Sequence, residues 1–167
     1  GPFILAFANA HAINLAWRDR ALRDALLGAD VVLRDGAGMA LLCRRLGRDP
    51  GLNLNGTDLI PDILDRFRGR RVVLIGTQEP WLGGAAAWAA ARGISVVATA
   101  DGFRPADAYE AFVAEARPDL ILLGLGMPRQ EQLARRLAAA LGPHPCLIVN
   151  GGAILDFWAS RFPRAPG

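Results

Sequence analysis

Six short, β-rich apolar runs alternate along this chain with longer stretches of helical periodicity, and that alternation limits the fold more than any other feature. The runs are residues 3–8, 31–33, 71–75, 94–98, 120–125 and 146–149. Helical spacing of apolar residues covers 10–27, 39–46, 81–91, 106–116 and 128–140, and a further stretch from Thr57 or Asp58, either of which suits a helix cap, to residue 67. Leu15, Leu22 and Leu26 share one face of the first helix, and Pro128 suits the first position of the last. Strands separated by helices need crossover connections, so the sheet must be mostly parallel. The expectation is an α/β fold: a mostly parallel sheet of about six strands with helices on both faces and the very apolar run 120–125 near its centre. No internal repeat, low-complexity tract or linker interrupts the pattern. A single domain is expected over 3–167, with Gly1-Pro2 read as the scar of a cleaved tag.

Composition narrows the partners. At 167 residues the chain can bury a sizeable core, and its 52% hydrophobic content and mean hydropathy of +0.23 exclude a disordered segment. The net charge is +3, and arginine carries the excess. Arginine forks suit phosphate, so this balance fits a phosphorylated ligand or an anionic membrane surface. There is no basic run with interleaved aromatics, so nucleic acid is not an expected partner. Cys43 and Cys146 form no C-x-x-C pair, which argues against a disulfide framework or zinc site and for a reducing cytoplasm. No apolar stretch approaches the roughly 18 residues that span a bilayer.

Ligands of open parallel sheets bind at the carboxyl ends of the strands. Each strand exit here carries glycine, a polar side chain or both. They are Asn9 and His11; Asp35, Gly36 and Gly38; Gly76 to Glu79; Asp101 and Gly102; Gly124, Gly126, Arg129, Gln130 and Glu131; and Asn150 and Gly151. Turns favour many of these residues anyway, but acids and amides at every exit point to a polar ligand. None of the exits is a G-x-G-x-x-G fingerprint or a Walker loop, so a nicotinamide oxidoreductase or an ATPase is weakly supported.

Taken together, the segments resemble the WecG/TagA/CpsF glycosyltransferases, glycosyltransferase family 26. The resemblance rests on N-A-H-A-I-N-L-A at 9–16, D-G-A-G at 35–38, G-T-D-L at 56–59 and D-G-F at 101–103. It continues through G-L-G-M-P-R-Q-E at 124–131, G-G-A-I-L-D-F at 151–157 and R-A-P at 164–166. The run around Pro128 and the final R-A-P are the specific parts. The resemblance implies a Rossmann-like fold and an inverting, metal-independent transfer from a UDP-sugar onto a sugar carried by a polyprenyl diphosphate. It also implies work at the inner face of the plasma membrane in teichoic acid or other cell-surface polysaccharide synthesis. No cofactor is expected; homo-oligomer contacts are. Relatives carry a basic, amphipathic membrane-binding tail beyond R-A-P, which is expected to be absent here.

Inversion in one displacement needs one base for the acceptor hydroxyl. Asp35 matches the family's D-G-x-G acid and is the expected base; its alternatives are a turn aspartate at that position, or Asp101 as the base. Gln130 can both donate to and accept from a sugar or uracil. Substrate contacts are expected from Asn9, His11, Gly36, Gly38, Asp101, Gly126, Arg129, Gln130, Glu131, Asn150 and Gly151. Asp156 reads either as a salt-bridge partner or as a lining group, and Trp81, Trp88 and Trp158 read as packing residues. No D-x-D pair is present to hold a cation between donor phosphates, so arginines and helix N-termini must meet the leaving diphosphate. Asn53 stands where the family often has arginine. A non-catalytic nucleotide-sugar-binding module is the competing reading.

Overall fold

Residues 120–123 are an unbroken apolar run, and such a run must be covered on both faces. In the computed structural model, which describes residues 1–162, it lies in one of the two central strands of a six-stranded, wholly parallel sheet. The strands are β1 (Phe3–Ala8), β2 (Val31–Arg34), β3 (Val72–Gly76), β4 (Val96–Ala100), β5 (Leu120–Gly124) and β6 (Leu147–Asn150), in the order β2-β1-β6-β5-β3-β4. Leu122 pairs with Leu74 on one side and Val149 on the other.

The helices are α1 (Ala10–Ala16), α2 (Arg20–Leu27), α3 (Ala37–Arg45), α4 (Gly56–Asp65), α5 (Trp81–Ala91), α6 (Ala106–Ala116), α7 (Arg129–Leu141) and α8 (Ile154–Trp158). Alternation along the strands sends Leu120 and Leu122 to one face, where α4, α5 and α8 pack. Ile121 and Leu123 go to the other, against α6 and α7, with α1 and α2 beside them over β1. The expected α/β, Rossmann-like architecture is thus the observed one.

Local chemistry moved several boundaries. The stretch 10–27 is two helices, because Asp19 adopts an extended backbone and accepts the Leu22 N–H at 3.0 Å, capping α2. Leu22 and Leu26 still share one buried cluster, with Leu15 packed against it, as their spacing requires. Asn55, rather than Thr57 or Asp58, caps α4: its Oδ1 accepts from the Asp58 N–H and its Nδ2 donates to the Asp58 carboxylate. Strand β4 begins two residues late, because Ile94 is spent packing under the end of α5. Pro128 sits just before α7 rather than in its first position. Helix α8 had no sequence signal of its own; its five residues follow the tight Gly151-Gly152 turn. Arg164, Ala165 and Pro166 lie outside the described residues.

Candidate functional site

Because every strand runs the same way, all six exits open on one edge of the sheet. The strand order brings the ends of β2, β1, β6, β5 and β3 side by side there. A cleft in two halves forms along this edge. The first half, 170 Å³, is lined by Asn9, Asp35, Gln130, Asn150 and Gly151, with Phe7, Met127 and Phe157 as apolar walls and Thr57 at the start of α4. The second, 290 Å³, is lined by Thr77, Gly102, Phe103, Gly126, Arg129, Asp156 and Arg161. Gly152 and Ala153 border both halves, so the turn after β6 is the sill between them.

Asp35 is half-buried at the end of β2, its backbone N–H anchored to the Ala8 carbonyl at 2.9 Å. Desolvation lifts its carboxyl above the ordinary carboxylate range, and the neighbouring Arg34 guanidinium opposes that rise. Among the described residues no hydrogen bond engages the carboxylate. Asp101 is different. Its two oxygens accept from the Phe103 N–H at 3.0 Å and from Arg104 Nε at 2.9 Å, and the Arg104 bond is the main cause holding its carboxyl below the usual range. That carboxylate belongs to the turn and lines neither half of the cleft.

The remaining expected residues divide in the same way. Asn9 lines the first half while its Oδ1 caps α1 through the Ala12 N–H at 2.9 Å. Asn150 is 2% exposed, and its Oδ1 is buried without a partner at the wall of that half. Gln130 accepts the Gly152 N–H at 3.0 Å and donates Nε2 to Glu131 Oε1 at 2.8 Å. Its amide is therefore held at both ends, and one N–H is left for a ligand. Glu131 itself lines neither half: it is buried beneath Gln130, and burial raises its carboxyl above the usual range. Arg129 lines the second half and donates to the Gly102 carbonyl at 2.8 Å; Gly126 lies beside it.

Besides Asp101 and Glu131, three more expected contacts are placed elsewhere. His11 is exposed in the first turn of α1 and lines neither half. Gly38 lets α3 approach α1, since a Cβ there would sit 3.2 Å from that of Ala10. Gly36 does not line the cleft either; it caps α3 at φ +84° and donates its N–H to Asn53 Oδ1 at 3.2 Å. Gly151 does line the first half. It is also required for packing, because a Cβ would meet Ile154 at 2.6 Å and Leu122 at 2.8 Å.

The far wall holds a group that sequence reading left incomplete. Thr77 Oγ1 donates to Asp156 Oδ1 at 2.6 Å, and Arg161 Nη1 reaches the same oxygen at 3.1 Å. Arg161 also lies over the Trp81 ring, 4.0 Å from its centroid. Asp156 is thus both an ion-pair partner and a lining residue. Thr77 holds an unusual φ of +42°, a conformation β-branched residues rarely keep. Only its place just after β3 marked Thr77 in the sequence, and nothing marked Arg161. Trp88 stacks on Trp158 at 4.2 Å, as packing residues do. Among the described residues no three His, Cys, Asp or Glu side chains gather into a group able to hold a metal ion.

Residues 1–167 match the glycosyl transferase WecG/TagA/CpsF family over the whole chain. The chain belongs to that family. The chain is also similar to the N-acetylglucosaminyldiphosphoundecaprenol N-acetyl-beta-D-mannosaminyltransferase of Bacillus subtilis (strain 168). It is 23% identical over 168 residues, covering 98% of this chain. The chain spans 65% of that relative's length. The two-part cleft is where Asp35 of the D-G-A-G segment and Gly126, Arg129 and Gln130 of the G-L-G-M-P-R-Q-E segment come together. Among the described residues no helix is long and apolar enough to cross a membrane.

Proposed function

We propose that this chain is an inverting, metal-independent glycosyltransferase that uses a UDP-activated hexose or N-acetylhexosamine. The acceptor is a sugar on a polyprenyl diphosphate, reached from the inner face of the plasma membrane, and the product feeds teichoic acid or another cell-surface polysaccharide. The B. subtilis relative, whose name specifies such a lipid-linked acceptor, supports the substrate class.

The observation that carries the mechanism is the half-buried Asp35 carboxylate, without a hydrogen bond among the described residues, in the same half-cleft as Gln130 and Asn150. In this reading the donor diphosphate lies in the second half and the sugar crosses the Gly152–Ala153 sill. The acceptor hydroxyl enters the first half. Its oxygen attacks the anomeric carbon from the face opposite the diphosphate, and Asp35 takes its proton as the new bond forms. The bond from the anomeric carbon to the diphosphate oxygen breaks, and its electron pair leaves with UDP. Arg129 and Arg161 meet the added negative charge. The orphaned Asn150 Oδ1 accepts from a sugar hydroxyl or N–H, which offsets the cost of leaving it buried and unpaired. The free Gln130 N–H donates to the same ligand.

A thermal-shift panel without metal, using UDP, UDP-sugars, GDP, ATP and NAD, tests the donor assignment. A ligand that binds only the folded state adds about 2.7 kcal/mol at a hundredfold excess over its Kd. Selective stabilisation by uridine compounds is expected; an equal response to NAD or ATP would sink the reading. Asp35→Asn should keep that stabilisation while turnover falls by roughly 10²- to 10⁴-fold. Undiminished turnover would assign the base elsewhere, and binding without any turnover by the unchanged chain would favour a non-catalytic nucleotide-sugar module.

A further inference from the structure

The segment joining β2 to α4 carries an apolar surface that the reaction does not use. Helix α3 buries none of its residues. Leu41 is exposed on it, and Leu46, at its carboxyl end, is 69% exposed. Leu52 is 79% exposed and Leu54 is open beside it. A single exposed leucine is ordinary, but this concentration on one short segment marks an interaction surface.

Its position is set by hydrogen bonds. Arg34 donates Nε to the Pro50 carbonyl at 2.8 Å and Nη2 to the Gly51 carbonyl at 3.3 Å. Asn53 accepts the Gly36 N–H at 3.2 Å. These contacts hold residues 50–53 beside the strand exit that presents Asp35 and leave Leu52 and Leu54 open to solvent. Two residues further on, Gly56 and Thr57 line the Asp35 half of the cleft. Leu52 and Leu54 therefore lie in the same segment as the wall of that half-cleft.

The charge of the segment selects the partner. Arg44, Arg45 and Arg48 are exposed, and none forms an ion pair among the described residues. The one acid between residues 37 and 54 is Asp49, whose Oδ1 accepts the Gly51 N–H at 3.0 Å. Exposed leucines interleaved with unpaired arginines match a surface that is apolar below and anionic above. A second copy docked symmetrically on this face would set one group of arginines against the other, which is costly.

We propose that α3 and residues 46–54 dock on an anionic lipid bilayer, with the leucines entering the interface and the arginines meeting headgroup phosphates. The proposal rests on the lipid-linked acceptor proposed above, because docking there turns the Asp35 half-cleft toward the membrane that holds the acceptor.

Co-sedimentation of the chain with vesicles of phosphatidylglycerol and phosphatidylcholine, or of phosphatidylcholine alone, tests this. The chain should bind the anionic vesicles, and added salt should weaken binding. Leu46→Glu with Leu52→Glu should lower vesicle affinity at least about tenfold, and replacing Arg44, Arg45 and Arg48 with Gln should remove the preference for anionic lipid. Leu27→Glu, at an equally open site on α2, should change nothing. All these positions are exposed, so folding should survive, and a melting curve checks that. Absence of vesicle binding, or equal binding by the double leucine variant, overturns the proposal. So does a self-association that the leucine variants abolish while vesicle binding persists. The uridine response reads out separately. Vesicle binding without it leaves the docking surface standing and removes the donor reading, whereas the reverse result removes the docking surface alone.

Discussion

At Asp35 two opposing effects act on one carboxylate. Burial favours its protonated form, and the adjacent Arg34 favours the charged form that a base needs. Among the described residues Arg34 is the charged neighbour acting on it, while its guanidinium also ties down residues 50–53 through the Pro50 and Gly51 carbonyls. Arg34→Gln should therefore raise the Asp35 pKa further. In the proposed mechanism Asp35 must be ionised, so the acid limb of the kcat/KM profile should move to higher pH, with recovery on the alkaline side. A profile that drops at every pH without moving would mean that Arg34 serves only the loop. Asn53 has its own task here: its side chain accepts the Gly36 N–H beside Asp35. A cation next to Asp35 thus comes from β2 itself.

Among the elements, helix starts decide more than helix interiors. Asp19 splits what its apolar periodicity would make one helix into α1 and α2, because a carboxylate that satisfies the Leu22 N–H competes with continuing the helix. Asp19→Ala should cost about 0.5–2 kcal/mol of stability, measured by urea unfolding, and leave transfer activity unchanged because the cap is far from the cleft. A larger loss would mean that α2 orders the α7 face as well. Start signals were legible where a side chain had a local task, and ambiguous where several capping residues crowd together. At 55–58, Asn55 prevails over Thr57 and Asp58 because it pairs with both the backbone and the side chain of Asp58. Helix α8 was illegible because five apolar residues carry no usable period. It nevertheless carries Asp156 into the cleft.

For the whole molecule, the sheet's centre is fully buried. Leu120, Ile121, Leu122 and Leu123 are each at most 1% exposed. Leu122→Ala should cost roughly 2–5 kcal/mol by chemical denaturation, through lost burial and the cavity left behind. A cost near zero would mean that β6 and α8 collapse into the space.

The sequence by itself determined the α/β class, the parallel sheet of six strands, its apolar centre and the family motifs, because strand and helix periods and glycine turns are written locally. It also placed Asp35, Gln130 and Asn150 at strand exits. Only the tertiary structure decided which exits share a cleft, since the β2-β1-β6-β5-β3-β4 order is set by packing across the sheet. The folded chain left the Asp35 carboxylate without a hydrogen bond among the described residues, while Asp101 closed onto its own turn. It buried Glu131 beneath Gln130. It also brought Thr77, Asp156 and Arg161 together from positions up to 84 residues apart. Partnerships at that separation have no period, so they become visible only when the chain is folded.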